Sequence, residues 1–127
     1  MEQEYIKGDI VMYDGGIHTI MDALGVNNYE LSHINHPVHQ LELSGVPITP
    51  EMLDNNKWKR LKSKRYTWWK ARFDGVYYFV KPNKDYPSVW ELCRGNTRRR
   101  FEKIRYVHQL QHFLFGLGIN HEMEVWK

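Results

Sequence analysis

Cysteine is nearly absent from this chain: Cys93 stands alone among 127 residues. One thiol excludes an internal disulfide framework and a cysteine-built zinc site, and it suits a reducing compartment. Long apolar runs are missing too. Nothing approaches the ~20 consecutive residues a bilayer-crossing helix needs. The opening "MEQEYIKGD" is acidic and lacks the apolar stretch of a secretory signal. The expectation is a soluble cytoplasmic protein with no membrane partner. Internal repeats and low-complexity tracts are also lacking.

Charge of one sign is scarce in each half. Residues 1–56 hold nine acids and a single base, Lys7, whereas residues 57–127 hold 17 bases and six acids. The modest net charge of +3 conceals this split. Such asymmetry points either to a polar partner for one half or to two differently charged surfaces.

What is present favours a folded, strand-rich protein. Hydrophobic residues make up 42% and aromatics 14%, enough for a sizeable core and rich in strand formers. "GDIVMYDGGIHTIMDAL" reads as a hairpin turning at Asp14-Gly15-Gly16. "YELSHI" and "VHQLEL" follow as short strands, so residues 1–48 read as an acidic, SH3-like β-sheet or barrel. In "SGVPITPEMLDNNKW", Thr49 is the expected N-cap, Pro50 sits at N1 and Glu51 favours the first turn. These residues predict a short linking helix.

Residues 49–127 read as a basic module, separate or continuous with the first. Asp74-Gly75 between "YTWWKARF" and "VYYFV" is the strongest hairpin signal in the chain. "SVWELC" and "RGNTRRRFEKI" supply further strands. "YVHQLQHFLFGLG" is an amphipathic helix with Val107, Leu110, Phe113, Leu114 and Leu117 along one stripe. The expected fold class is α+β, with the second antiparallel sheet covered by that C-terminal helix.

"SGVPITPEMLDNNKWK" and "IRYVHQLQHFLFGLGINHEMEV" share a pattern. The first is a short helix opened by an I-P-L-T/I-T-x-E-x-L-like segment. The second is a terminal Y-V-H-x-L-Q-x-x-x-F-x-L-like helix with a short acidic-apolar tail. In these stretches the chain resembles small, mostly uncharacterised proteins encoded by phages and integrated mobile elements of gut Bacteroidetes. The resemblance implies a setting, the cytoplasm of a bacterial host. It carries over no activity, cofactor or catalytic residue.

A two-residue turn at Asp74-Gly75 sorts the hairpin into two faces. Trp69, Ala71, Phe73, Val76, Tyr78 and Val80 form an apolar face. Lys64, Tyr66, Trp68, Lys70, Arg72, Tyr77, Phe79 and Lys81 form the other, and Arg98, Arg99 and Arg100 extend it. Rings alternating with cations can stack on bases and neutralise phosphates, the chemistry that holds single-stranded nucleic acid. The same pairs also stabilise ordinary sheets, so a plain structural face remains open.

Other constellations are weaker. His33, His36 and His39 are three apart around Pro37, with no cysteine or carboxylate to complete a metal site. His108 and His112 are four apart on the terminal helix, opposite its apolar stripe, but HExxH is missing. A solvated polar face is the expectation there, and no metal or other cofactor is expected. Cys93 reads as a buried strand thiol. Two functions stay open: a non-enzymatic accessory protein binding single-stranded nucleic acid, or an interaction factor that modulates a host enzyme or defence system through the acidic barrel or an exposed aromatic patch. The partner expected at the basic face is single-stranded nucleic acid or an acidic host protein. The oligomeric state is not legible.

Overall fold

The computed structural model describes residues 4–62, 67–73, 75–86, 88–95, 99–118 and 123, with the backbone alone for 99–102. In chain order the elements are β1 (Ile10–Tyr13), β2 (Gly16–Ala23), β3 (Asn28–Leu31), β4 (Val38–His39), a 3-10 turn (Gln40–Glu42) and β5 (Leu43–Gly45). Then come α1 (Pro50–Asn55), β6 (Lys59–Lys62), β7 (Thr67–Phe73), β8 (Val76–Pro82), β9 (Trp90–Arg94), β10 (Arg99–Ile104) and α2 (Val107–Gly116). The fold is α+β, with two five-stranded antiparallel sheets. Among the described residues no helix is long and apolar enough to cross a membrane.

The chain divides into two compact units: Met1–Val46 with Tyr106–Trp126, and Pro47–Arg105 with Lys127. In the first, the strand order is β4-β3-β2-β1-β5, a curled SH3-like half-barrel. The β1–β2 loop is the two-residue Asp14-Gly15, with φ of 47° and 78°. Positive φ at both positions is what a type I′ hairpin requires. A bulge between Ile20 and Asp22 interrupts the β2–β3 ladder, and a bulge adds local bend and twist. Tyr5, Val11, Ile20, Tyr29, Leu31, Val38 and Leu43 form the core.

Helix α2 belongs to this first unit. The sequence alone placed it over the second sheet; its packing is with β1. Nor is its polar side solvated as expected, because His108 and Gln111 are buried beside Val107, Leu110 and Leu114. Ile10 N donates to Gln111 Oε1 at 2.8 Å, and Gln111 Nε2 donates to Gly8 O at 2.8 Å. A buried main chain needs such partners, and one amide side chain supplies both a donor and an acceptor. At the start of α2, a Cβ on Gly45 would overlap the Tyr106 ring, so glycine is required there.

The second unit is a meander in the order β10-β9-β8-β7-β6. Thr49 caps α1 as expected, its Oγ1 accepting from Met52 N at 3.2 Å, with Pro50 in the first turn. Met52 and Leu53 are buried, as are Trp58, Trp69, Tyr78, Val80, Trp90 and Leu92. Trp69 meets Trp90 edge-on at 5.4 Å, and Trp58 meets Phe73 at 5.8 Å. Asp54 of α1 accepts from Trp69 Nε1 at 2.9 Å and pairs with Arg60. The Arg60 bond and then the Trp69 bond hold the Asp54 carboxyl below its ordinary pKa. The apolar hairpin face thus finds its cover within its own unit.

Candidate nucleic-acid interface

The β7–β8 hairpin has the register read from its turn signal. Phe73 faces Val76, Arg72 faces Tyr77, Ala71 faces Tyr78, Lys70 faces Phe79 and Trp69 faces Val80. Asp74 lies outside the described residues; Gly75 has φ of 80°. Because side chains alternate across a strand, this register separates two faces. Trp69, Ala71, Tyr78 and Val80 are buried on one. On the other, Trp68, Lys70, Phe79 and Lys81 are half-buried, and Arg72 and Tyr77 are exposed. The indole of Trp68 and the ring of Phe79 therefore both reach the surface.

Two diagonal contacts organise this second face. Trp68 and Phe79 lie 5.6 Å apart at 34° between ring planes. Lys70 Nζ sits 4.5 Å from the Tyr77 ring centre, and the Arg72 guanidinium sits 5.4 Å from it. Across the other edge of β7, Lys59 stands directly opposite Lys70. Like charges facing each other in a sheet are destabilising. As β6 is an edge strand, its lysines also discourage edge-to-edge pairing. On β9, Glu91 lies 3.7 Å from Lys81 and accepts from Asn83 at 3.2 Å. The cationic strip is therefore strongest toward β6 and β7.

Of the remaining expected residues, Lys64, Tyr66 and Arg98 lie outside the described residues. Arg99 and Arg100 lie in β10, in register with Arg94 and Cys93. Arg100 thus ends a cross-strand row running through Lys59, Lys70, Phe79 and Cys93. Cys93 is buried.

Sequence reading missed a second charged cluster, in the first unit. Asp9 is 0% exposed. Its Oδ2 accepts from Ile6 N at 2.9 Å and lies 2.6 Å from His112 Nε2, while Oδ1 has no partner among the described residues. The hydrogen bond to Asp9 raises the pKa of His112. Burial pushes His108 down to about 4, against the pull of Asp9. Burial, reinforced by Glu4, pushes Tyr5 up to about 12. Nothing in the local pattern around Asp9 announces this cluster, because its His112 partner lies 103 positions away. His39 is spent on structure: its Nδ1 accepts from Leu41 N at 3.1 Å and caps the 3-10 turn. Among the described residues, no group of three or more His, Cys, Asp or Glu side chains is arranged to hold a metal ion.

Compared with protein-family models, curated proteins and solved structures, the chain shows no significant match.

Proposed function

We propose that this protein is a non-enzymatic accessory factor of a phage or integrated mobile element, and that it binds single-stranded nucleic acid on the second face of the β7–β8 hairpin. One observation carries this reading: half-buried and exposed rings alternate there with Lys70, Arg72 and Lys81 on a single sheet face. Stacking on an aromatic side chain contributes about 1–3 kcal/mol per base and tolerates any sequence. The opposed Lys59 and Lys70 add weight, since a polyanion relieves their repulsion.

The test is fluorescence polarisation with labelled single-stranded DNA and RNA octamers at low and high salt. Salt-sensitive binding is expected, with loss in the Trp68→Ala, Lys70→Ala double variant. Equal binding by the double variant would remove this face from the proposal. A host protein captured after nuclease treatment, and lost when acidic residues of the first unit are replaced, would favour the interaction-factor alternative.

A further inference from the structure

Charge is sorted by compact unit. Met1–Val46 with Tyr106–Trp126 hold nine acids and one base, whereas Pro47–Arg105 with Lys127 hold six acids and 17 bases. Each unit also concentrates its sign in one cross-strand pair. On the half-barrel, Asp22 of β2 stands directly opposite Glu30 of β3. On the meander, Lys59 of β6 stands directly opposite Lys70 of β7.

Both pairs cost stability, because like charges directly opposite in a sheet repel. Asp22, Glu30 and Lys59 are exposed and Lys70 is half-buried. None of the four forms an ion pair with a described residue. Asp22 Oδ1 accepts from Ala23 N at 2.9 Å, a neutral donor that leaves the charge uncompensated. Asp54 and Glu91, by contrast, pair with Arg60 and Lys81.

The two pairs also match in spacing. Directly opposed side chains of an antiparallel ladder have Cβ atoms about 4.5–5.5 Å apart. The acid pair of one molecule can therefore meet the base pair of another as two ion pairs side by side. Lys70 Nζ already rests 4.5 Å from the Tyr77 ring centre, so it has less side-chain freedom to lose on docking. Apolar surface stands near the acid pair. Val26 in the β2–β3 turn and Leu41 are exposed, and Gln40 N, beside Leu41, donates to Asn27 O at 2.8 Å.

We infer that the protein self-associates through unlike faces: the Asp22–Glu30 pair of one copy docks on the Lys59–Lys70 pair of a second copy. The contact is heterologous, since it joins two different patches and every copy carries both. Exposed ion pairs contribute little individually, so the association is weak and depends on concentration. Salt screens it. The inference does not depend on nucleic-acid binding, although Lys70 belongs to both faces.

The experiment is sedimentation velocity on nuclease-treated protein over a concentration series. It is run at low salt and at about 1 M salt, where the Debye length is about 3 Å. Circular dichroism confirms that each variant is folded. The wild type should gain mass with concentration at low salt and stay monomeric at high salt. The Lys59→Glu, Lys70→Glu variant and the Asp22→Lys, Glu30→Lys variant should each lose roughly tenfold or more in association, because like charges then meet. Mixing these two variants should restore a complex, since one keeps the acid pair and the other keeps the base pair.

The control is Lys62→Glu, Lys84→Glu, which changes the net charge as much as the lysine reversal does. Lys62 lies on the opposite face of β6 from Lys59 by alternation, and Lys84 lies in the β8–β9 loop. The control should associate like the wild type. If a reversal unfolds the chain, the neutral pairs Lys59→Gln, Lys70→Gln and Asp22→Asn, Glu30→Gln carry the same test, with weakened association expected in each. A wild type that stays monomeric at every concentration would overturn the inference. So would equal weakening by the control, or a mixture of the two reversed variants that forms no complex.

Discussion

The two units handle charge in opposite ways. In the half-barrel with α2, charged and polar groups are turned inward: Asp9 and Gln111 are both 0% exposed and His108 is 6% exposed. In the meander, charge stands on an outward face beside aromatic rings, and the interior is filled by Trp58, Trp69, Trp90 and aliphatic side chains. A buried polar group is stabilising only while every partner is in place. A cation on a sheet surface has no such dependence, because water solvates it when a partner is lost. The first unit should therefore be sensitive to substitution and acid, and the second should lose binding before it loses structure.

The largest expected effect breaks that contrast at Gln111. Gln111→Leu leaves the buried Ile10 N and the half-buried Gly8 O without their bonds, and the buried orphan alone costs about 1–3 kcal/mol. Hydrogen exchange should quicken in β1 and β2 while β7 and β8 keep their protection. Equal quickening in both sheets would show that the units do not respond separately.

Acid should act next, and again on the first unit. His108 is held neutral, with its pKa lowered from 6.5 to about 4. The unfolded chain binds the proton more readily than the folded one. The associated stability is fully present above pH 6.5 and is lost as pH falls toward 4, on the order of 3 kcal/mol. His112 has the opposite sign: its raised pKa contributes stability at low pH that is lost as pH rises through the folded value. Urea unfolding between pH 4 and 8 should show the acid limb shrinking in His108→Gln. An unchanged limb would place the acid sensitivity elsewhere.

The smallest effect sharpens the picture of the second unit. Thr49→Ala removes the α1 cap and should cost about 1 kcal/mol. The shift should register in tryptophan fluorescence, because Trp58, Trp68, Trp69 and Trp90 all lie in that unit. Hydrogen exchange in β1 should not change.

The parts legible beforehand are those written in short codes. Asp74-Gly75 set the β7–β8 register, and the observed pairing of Arg72 with Tyr77 and of Lys70 with Phe79 is the one read from it. Thr49 and Pro50 announced α1 in the same way. The candidate face follows from that register by alternation alone. The Lys59–Lys70 opposition was not legible, because the β6–β7 connection carries no turn signal that counts residues. The partner of α2 was not legible either. Its apolar stripe says that the helix covers something, and a stripe of Leu and Val fits either sheet equally well.

By itself, the order of residues determined where the chain turns, which side chains share a strand face, and that one half is acidic and the other basic. The first two are consequences of backbone geometry over two to four residues, and the third of composition alone. Only the tertiary structure decided that α2 closes the first sheet, that His108 and Asp9 leave water, and that Tyr77 sits beneath two cations. Those outcomes depend on contacts formed across strands or across about a hundred positions of chain, and local pattern carries no information about which distant group will satisfy a buried donor.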